Sequence, residues 1–242
     1  MPLRDRIATP EGKRRYVRAL FATIADRYDL ITRLLSYGQD RRWKRRLVAL
    51  AAADHRTRAL DLATGTGDIA FALAADGADV VGLDITHRMI ELARAKRGER
   101  LDGTRLHLLV GDMLALPFPN ASFDLVTTGY GLRNVPDLAA AIAEIRRVLK
   151  PGGRVLSLDF NRPANAVVRT AYLAYLSLVG GAIGRMLHGD PDTYRYIPAS
   201  IRNYPGAAAV ARLMTSSGFD EARYDPVLGG LMAIHYARIH AD

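Results

Sequence analysis

The chain predicts an α/β fold: a mostly parallel, doubly wound sheet of seven strands ending in an antiparallel hairpin, with a helical extension before it and a helical insertion within it. Three observations carry this. From residue 58 onward, short apolar runs alternate with helix-length segments, the pattern of βαβ units around a parallel sheet. Between the first two runs lies the glycine turn Thr64-Gly65-Thr66-Gly67, as in nucleotide-binding βαβ units. The last two runs, 219–226 and 230–239, flank Gly229-Gly230, a hairpin turn at the sheet edge.

The elements follow in order. Residues 13–53 show no strand pattern and read as helical. Phe21, Ile24, Ala25, Tyr28, Ile31, Leu34 and Leu35 recur at three- and four-residue spacing. Ser36-Tyr37-Gly38 breaks the run, and Arg41-Arg42-Trp43-Lys44-Arg45-Arg46-Leu47-Val48 starts a second, basic helix. Strands are expected near 58–63, 79–84, 105–110, 123–128 and 153–160, and helices near 68–76, 86–96 and 137–149. Lys150-Pro151-Gly152-Gly153 reads as a helix stop and turn ahead of the fifth strand. A helix near 206–217 precedes the hairpin.

Residues 162–205 interrupt the alternation. Thr170 to Gly184 is uncharged and apolar-rich, 15 residues between Arg169 and Arg185, short of the ~20 that span a bilayer. Gly180-Gly181 argues against one continuous helix. The segment is expected to form a helical cap over the ligand edge of the sheet, where substrate specificity is built. The division is then a single domain: a helical extension (1–56), a ligand-binding core (57–161), the cap (162–205), and a C-terminal helix with strands (206–242).

Composition narrows the function. A chain of 242 residues buries a substantial core. It has no cysteine, which excludes disulfides, thiolate metal sites and a cysteine nucleophile, and fits a reducing compartment. The N-terminus lacks the long apolar core of a signal peptide. The net charge is +9, and residues 1–56, with 14 Lys/Arg against 6 Asp/Glu, hold eight of those charges. A basic face of this kind meets nucleic acid, anionic lipid or an acidic partner, or is a solvated surface.

The chemistry lies at the strand ends, where doubly wound sheets bind ligands. The first strand leads into Asp61, Gly65, Thr66 and Gly67, the second ends in Asp84-Ile85, and the third in Asp112-Met113. The fourth ends in Gly129-Tyr130-Gly131-Leu132-Arg133-Asn134. Glycines let backbone approach a ligand closely. Asp84 is placed to accept both ribose hydroxyls, Asp112 an adenine amino group, and Met113 lies against the ring. Asp61 and Asp68 flank the helix N-terminus that a pyrophosphate needs free, and would repel it. They suit a cationic ligand with an amino group, such as S-adenosylmethionine. Ala70 completes a dinucleotide-type G-x-G-x-x-A, but the acids disfavour that reading.

The sequence resembles the ubiquinone/menaquinone biosynthesis C-methyltransferases, a family of class I methyltransferases with a Rossmann-like fold. The likeness spans nearly the whole chain. It rests on Val17-x-x-Leu20-Phe21-x-x-Ile24-Ala25-x-Arg27-Tyr28-Asp29, Ser36-x-Gly38 with Arg42-Trp43, and Leu60-Asp61-Leu62 through Asp68. Ala115-Leu116-Pro117-Phe118, Gly131-Leu132-Arg133-Asn134 and Val148 to Gly153 continue it. The most specific piece is Asp192-Thr193-Tyr194-Arg195-Tyr196 followed by Ser200-Ile201-Arg202 and Pro205. Two positions depart: Gly129 stands where family members often carry Ser, and Thr64 where smaller residues are common.

The resemblance implies transfer of a methyl group from S-adenosylmethionine to a ring carbon of a reduced, polyprenylated quinone, with demethylmenaquinol the first choice of acceptor. It implies cofactor contacts at Thr66, Asp84, Asp112, Met113 and the backbone of Gly129. A neutral aromatic carbon is a poor nucleophile, so the protein must take the adjacent phenolic proton, stabilise the oxyanion and align carbon with methyl. Arg133 is the expected oxyanion partner, with Tyr194 and Arg202 as further candidates for the chemistry. Tyr130, Asn134, His188, Arg195 and Tyr196 are expected around the acceptor ring. Tyr194 and Tyr196 alternate like a half-buried extended segment, and His188 is the nearest titratable base to that motif.

Further partners follow from the tail of the acceptor: 170–184 would line a tail channel, and Arg41, Arg42, Arg45 and Arg46 would rest on anionic headgroups at the inner face of the cytoplasmic membrane. A homodimer is left open. Alternatives are a benzoquinol of ubiquinone biosynthesis, another lipid-like phenol, and a scaffold without catalysis. A nucleic-acid partner is disfavoured: pyrimidine C5 methylation by the covalent route needs a cysteine, and no Asn/Asp-Pro-Pro-Tyr/Phe motif follows the fourth strand. No metal-ligand cluster is evident, so no metal is expected.

Overall fold

A computed structural model describes residues 3–98, 105–189 and 192–241, without the side chains of Arg4, Leu187, His188 and Asp192. Four helices come first: α1 (Leu3–Arg6), α2 (Pro10–Ile24), α3 (Tyr28–Leu35) and α4 (Asp40–Ala51). Thr9 caps α2 by accepting from the Gly12 amide, and Pro10 fills the first helical position, where no amide hydrogen is needed.

The alternating core then runs β1 (Arg58–Leu62), α5 (Asp68–Ala75), β2 (Asp79–Asp84), α6 (His87–Gly98), β3 (Leu106–Val110), β4 (Phe123–Gly129), α7 (Leu138–Val148) and β5 (Leu149–Phe160). The insertion is α8 (Ala166–His188) and α9 (Asp192–Asn203); α10 (Ala207–Ser216), β6 (Glu221–Val227) and β7 (Met232–Arg238) close the chain. The sheet order is β3-β2-β1-β4-β5-β7-β6. β1 to β5 are parallel, and β7 runs antiparallel to both β5 and β6. The order reverses between β1 and β4, which opens the crevice where such sheets bind ligands.

Two apolar layers sandwich the sheet. On one face Trp43, Leu47 and Ala51 of α4 pack with Ile69, Ala70 and Leu73 of α5 against β1, β2 and β5. On the other, Ile142, Ile145 and Val148 of α7 pack with Val210 and Met214 of α10. Both layers sit on strands read from alternation alone.

The structure corrects three expectations. The fifth strand starts at Leu149, not at Gly153. Pairing passes from Phe123–Leu149 directly to Leu125–Arg154, so the expected turn at 150–153 is a bulge within the strand, made at Gly152 with φ +76°. The apolar segment is one helix of 23 residues despite Gly180-Gly181. A Cβ on Gly180 would lie 3.2 Å from that of Tyr194, so the missing side chain permits close packing of α8 on α9. By length and composition residues Ala166–Met186 suffice to cross a membrane, which removes the argument from length. Tyr172, Leu173 and Leu176 nevertheless face Ile201 and Phe160 inside the protein. Third, Tyr194 and Tyr196 lie on a helix, not an extended segment. Both are buried, on different small cores: Tyr194 with Ile24 and Ile31, Tyr196 with Tyr16 and Val17.

Candidate active site

Two cavities meet at the β1/β4 crevice. The smaller is lined by Gly65, Asp84, Ile85, Asp112, Met113, Gly129 and Asn134, and is walled by Arg14, Val17 and Phe21 of α2. The larger, of about 750 Å³, lies between α3, α4, α8, α9 and the β6–β7 hairpin. Tyr28 and Tyr130 line both.

The smaller cavity gathers the ends of β2, β3 and β4 with Gly65, while Asp61 and Thr66 line an adjoining hollow with Thr64, Asp68 and Lys44. Asp84 is buried; it accepts from the Thr86 amide at 2.8 Å and the Gly65 amide at 2.9 Å, and burial raises its pKa. Gly65 has φ +55° and Gly67 φ +91°, the left-handed turn that starts α5. A Cβ on Gly67 would stand 2.8 Å from the Phe71 ring. Thr66 donates to Asp29 of α3 at 2.7 Å, tying the glycine turn to the helical extension. Asp112 accepts from the Leu114 amide and pairs with Arg14 at 2.5 Å, so α2 is bolted across the end where adenine was expected. A Cβ on Gly129 would meet Ile69 Cδ1, the movable end of a side chain, at 2.8 Å.

Asp61 is almost fully buried, accepting from Thr64 at 2.6 Å and Thr127 at 2.7 Å. Thr64, the second departure, is therefore a partner of the acid. Desolvation pushes Asp61 up to about 6, against the two threonine hydrogen bonds and the Lys44 charge. Asp68 contributes less to the charge argument than expected: Lys44 sits 2.9 Å from it and neutralises much of its charge.

These residues fit S-adenosylmethionine. A buried acid with raised pKa complements a cationic amino group, Asp84 keeps lone pairs for hydroxyl donors, and the glycines at 65 and 129 leave room for close approach. The fit makes a pH prediction. A cation beside Asp61 favours its ionised form, so binding must expel a proton below about pH 6. Cofactor affinity by calorimetry is expected to be flat above that pH and to weaken by up to ~10-fold per unit below it. The sign for folding is opposite. The fold holds this proton more tightly than the unfolded chain does, so Asp61 lowers stability as pH rises from 3.8 to about 6.

The larger cavity is mostly apolar, and Arg133 on its wall belongs to a buried ion pair. Arg133, on a 3-10 turn after β4, gives Nε to Asp159 at 3.2 Å and its amide to the other oxygen at 3.0 Å. It also donates to Ser200 of α9 and lies 5.0 Å from the centre of the Phe160 ring. Its ion-pair partner is Asp159, while the nearby Asp137 caps α7. Lys13 of α2 donates to the carbonyls of Arg133 (3.2 Å) and Val135 (2.6 Å), and burial lowers its pKa to about 8.

Of the other expected residues, Tyr194 and Tyr196 line this cavity, and burial raises both phenols. Arg202 and Arg195 are exposed on α9 and line neither cavity; Ser200 faces inward instead. Asn134 is buried beside the smaller cavity, donating to the Tyr130 carbonyl at 2.7 Å, away from the acceptor space. His188 ends α8, and its side chain lies outside the described residues. Sequence reasoning missed Lys13, Arg14, Tyr28, Asp40 and Asp159. Asp159 was within reach, since it lies one residue from the end of the fifth strand, close to where Asp84 stands at the end of the second. The Asp40–Lys44 pair (2.7 Å) has i,i+4 spacing that the surrounding arginines masked.

Fold and site define a class I S-adenosylmethionine-dependent methyltransferase. Solved neighbours share the fold: a SAM-dependent methyltransferase from Thermotoga maritima has a TM-score of 0.65 at 18% identity, covering 92% of this chain and 99% of that one. Phosphoethanolamine N-methyltransferase 2 from Haemonchus contortus, solved with S-adenosyl-L-methionine, has a TM-score of 0.60 at 15% identity, covering 82% of this chain and 52% of that one. More narrowly, the chain belongs to the ubiE/COQ5 methyltransferase family, whose model matches residues 9–238. A demethylmenaquinone methyltransferase from Thermus thermophilus is 43% identical over 218 residues, 89% of this chain and 98% of that protein. A ubiquinone/menaquinone biosynthesis C-methyltransferase from Geobacter is 38% identical over 226 residues, 90% of this chain and 94% of that protein.

Proposed function

We propose that this enzyme methylates a ring carbon of demethylmenaquinol. The observation that carries the reading is the pairing of the cofactor crevice with an apolar cavity of about 750 Å³ that contains one buried guanidinium. An aromatic head with a hydrocarbon tail fits such a space, and little else would reward burying so much of it. Bound S-adenosylmethionine supplies an electrophilic methyl group. Asp61, Gly65, Thr66, Gly67, Asp84, Ile85, Asp112, Met113 and the Gly129 backbone hold it. Arg133, kept in place by Asp159 and Ser200, faces the oxyanion that develops on the acceptor ring. Tyr130, Tyr194 and Tyr196 flank the ring, and the apolar walls exclude water.

Tyr172, Tyr175 and Leu176 of α8 line the cavity, which supports the tail-channel reading. Tyr37 and Tyr175 touch through their hydroxyls across its outer part. Around them Val167, Val168, Leu178, Met186 and Leu228 are exposed, and Arg42 and Arg46 line the same cavity. An apolar surface edged by arginines suits an anionic bilayer that delivers the acceptor. Changing Arg41, Arg42, Arg45 and Arg46 to Gln is expected to lower co-sedimentation with anionic vesicles at least ~10-fold, each cation near the surface contributing about 1 kcal/mol. Unchanged binding would remove the basic cluster from the membrane contact.

The direct test supplies labelled S-adenosylmethionine with chemically reduced, short-prenyl demethylnaphthoquinol or a benzoquinol analogue, and reads products by mass spectrometry. Ring-carbon methylation of the naphthoquinol supports the proposal. Methylation of the benzoquinol alone moves the enzyme to the other ring class.

A further inference from the structure

Arg133 cannot serve as the proton acceptor that ring methylation needs, because a guanidinium stays charged. The wall between the two cavities offers another group. Tyr130 has φ +63°, a conformation that L side chains rarely adopt. Its amide donates to the Leu158 carbonyl at 2.7 Å, which helps hold this backbone in place. The result is a phenol standing where the cofactor crevice meets the acceptor cavity.

Behind it is Asp40, the first residue of α4 and 5% exposed. Tyr130 donates its hydroxyl proton to Asp40 Oδ1 at 2.7 Å, and Lys44 holds Oδ2 at 2.7 Å. Lys44 also reaches Asp68 at 2.9 Å and lies 5.9 Å from the centre of the Tyr130 ring. Asp40 does not line the acceptor cavity; it meets that space through Tyr130. Burial first, then the Asp40 charge, hold the Tyr130 phenol well above its ordinary pKa, so it stays protonated. With that proton committed to Asp40, the Tyr130 oxygen has only lone pairs left for another donor.

We propose that Tyr130 Oη accepts the proton of the acceptor's ring hydroxyl and passes its own to Asp40, making this pair the proton-accepting relay of the reaction. The inference rests on the quinol reading above. The ring carbon forms a bond to the methyl group as the carbon–sulfur bond breaks and its electron pair returns to sulfur. The neighbouring hydroxyl becomes strongly acidic as carbon–carbon bonding removes electron density, and its proton moves to Tyr130 while the Tyr130 proton moves to Asp40. The ring proton at the methylated carbon then shifts to the ring oxygen, restoring the aromatic quinol, and one net proton leaves Asp40 for water. Carboxylates in general are too weak as bases for a resting phenol, but a hydroxyl acidified during bond formation is within their reach.

The test uses the full chain with reduced short-prenyl demethylnaphthoquinol. Wild-type turnover checks the quinol reading first; no turnover would sink that reading and leave the relay to be judged by binding. Tyr130→Phe leaves the Asp40–Lys44 pair in place, and Asp40→Asn keeps an acceptor for Tyr130 without a basic site. Both are expected to lower kcat ~10²-fold or more, with cofactor affinity within about threefold of wild type and KM raised no more than ~10-fold, the worth of the one hydrogen bond Tyr130→Phe removes. Fluorination of the ring, which acidifies the hydroxyl, is expected to shrink the loss in Asp40→Asn; a purely structural role would leave it constant.

The binding arm needs no turnover. Wild type should prefer 2-prenyl-1-naphthol over its O-methyl ether by roughly 3–10-fold, the worth of one hydrogen bond, and Tyr130→Phe should abolish that preference. Full activity in Asp40→Asn, or an unchanged naphthol preference in Tyr130→Phe, would overturn the relay.

Discussion

Replacing Arg133 by Met is expected to lower kcat by ~10²–10³-fold, the usual cost of losing one oxyanion donor. It should also destabilise the protein by about 3 kcal/mol, because Asp159 is then left as a buried charge without its cation. The lower end of the range for broken buried pairs applies, since Asp159 still accepts from the amides of Arg133 at 3.0 Å and Phe160 at 2.8 Å. For a chain of this size the melting temperature should fall by roughly 6–12 °C. The two losses separate in the double variant Arg133→Met with Asp159→Asn. Removing the stranded charge should restore most of the thermal stability and none of the activity. If activity returned with stability, Arg133 would be a structural ion-pair member and the oxyanion role would be lost. Thermal unfolding and initial rates on the same preparations make the measurement.

Replacing Asp84 by Ala should weaken S-adenosylmethionine binding by ~10²–10⁴-fold, read by calorimetry without any acceptor. Two hydrogen bonds to a charged acceptor, each ~1.5–3 kcal/mol, set that scale. The Gly65 and Thr86 amides also lose their partner, so part of the effect comes through a loosened glycine turn. Asp84→Asn separates the two contributions: an amide oxygen still accepts, though as a neutral group, and the loss should fall to ~10-fold. Equal affinity in wild type and Asp84→Ala would remove Asp84 from the cofactor site. Arg133→Met should leave this affinity unchanged, because the two residues line different cavities.

The cofactor half of the site was legible because parallel sheets impose an address. Once β1 to β4 are read from apolar runs, their C-terminal ends must share one edge. Asp61, Asp84, Asp112 and Gly129 then fall together without any knowledge of packing. The acceptor half has no such address. Its walls come from α3, α4, α8, α9 and the β6–β7 hairpin, and which face of each helix turns inward depends on packing. That is why Arg195 and Arg202 were placed at the site and stand exposed, while Ser200 faces inward between them and the core. The same blindness hid Lys13, which reaches the loop after β4 only because α2 folds back across the sheet edge.

By itself the sequence determined the sheet and its strand-end chemistry, because periodicity and glycine turns are local and a parallel sheet converts them into one shared edge; the family and the class of reaction came through its resemblance to known methyltransferases. Tertiary structure alone decided the partners of the buried charges: Arg133 with Asp159, Lys44 between Asp40 and Asp68, and Tyr130 against Asp40. Those contacts join residues from separate elements, and the cost of burying an uncompensated charge, rather than any pattern along the chain, selects them.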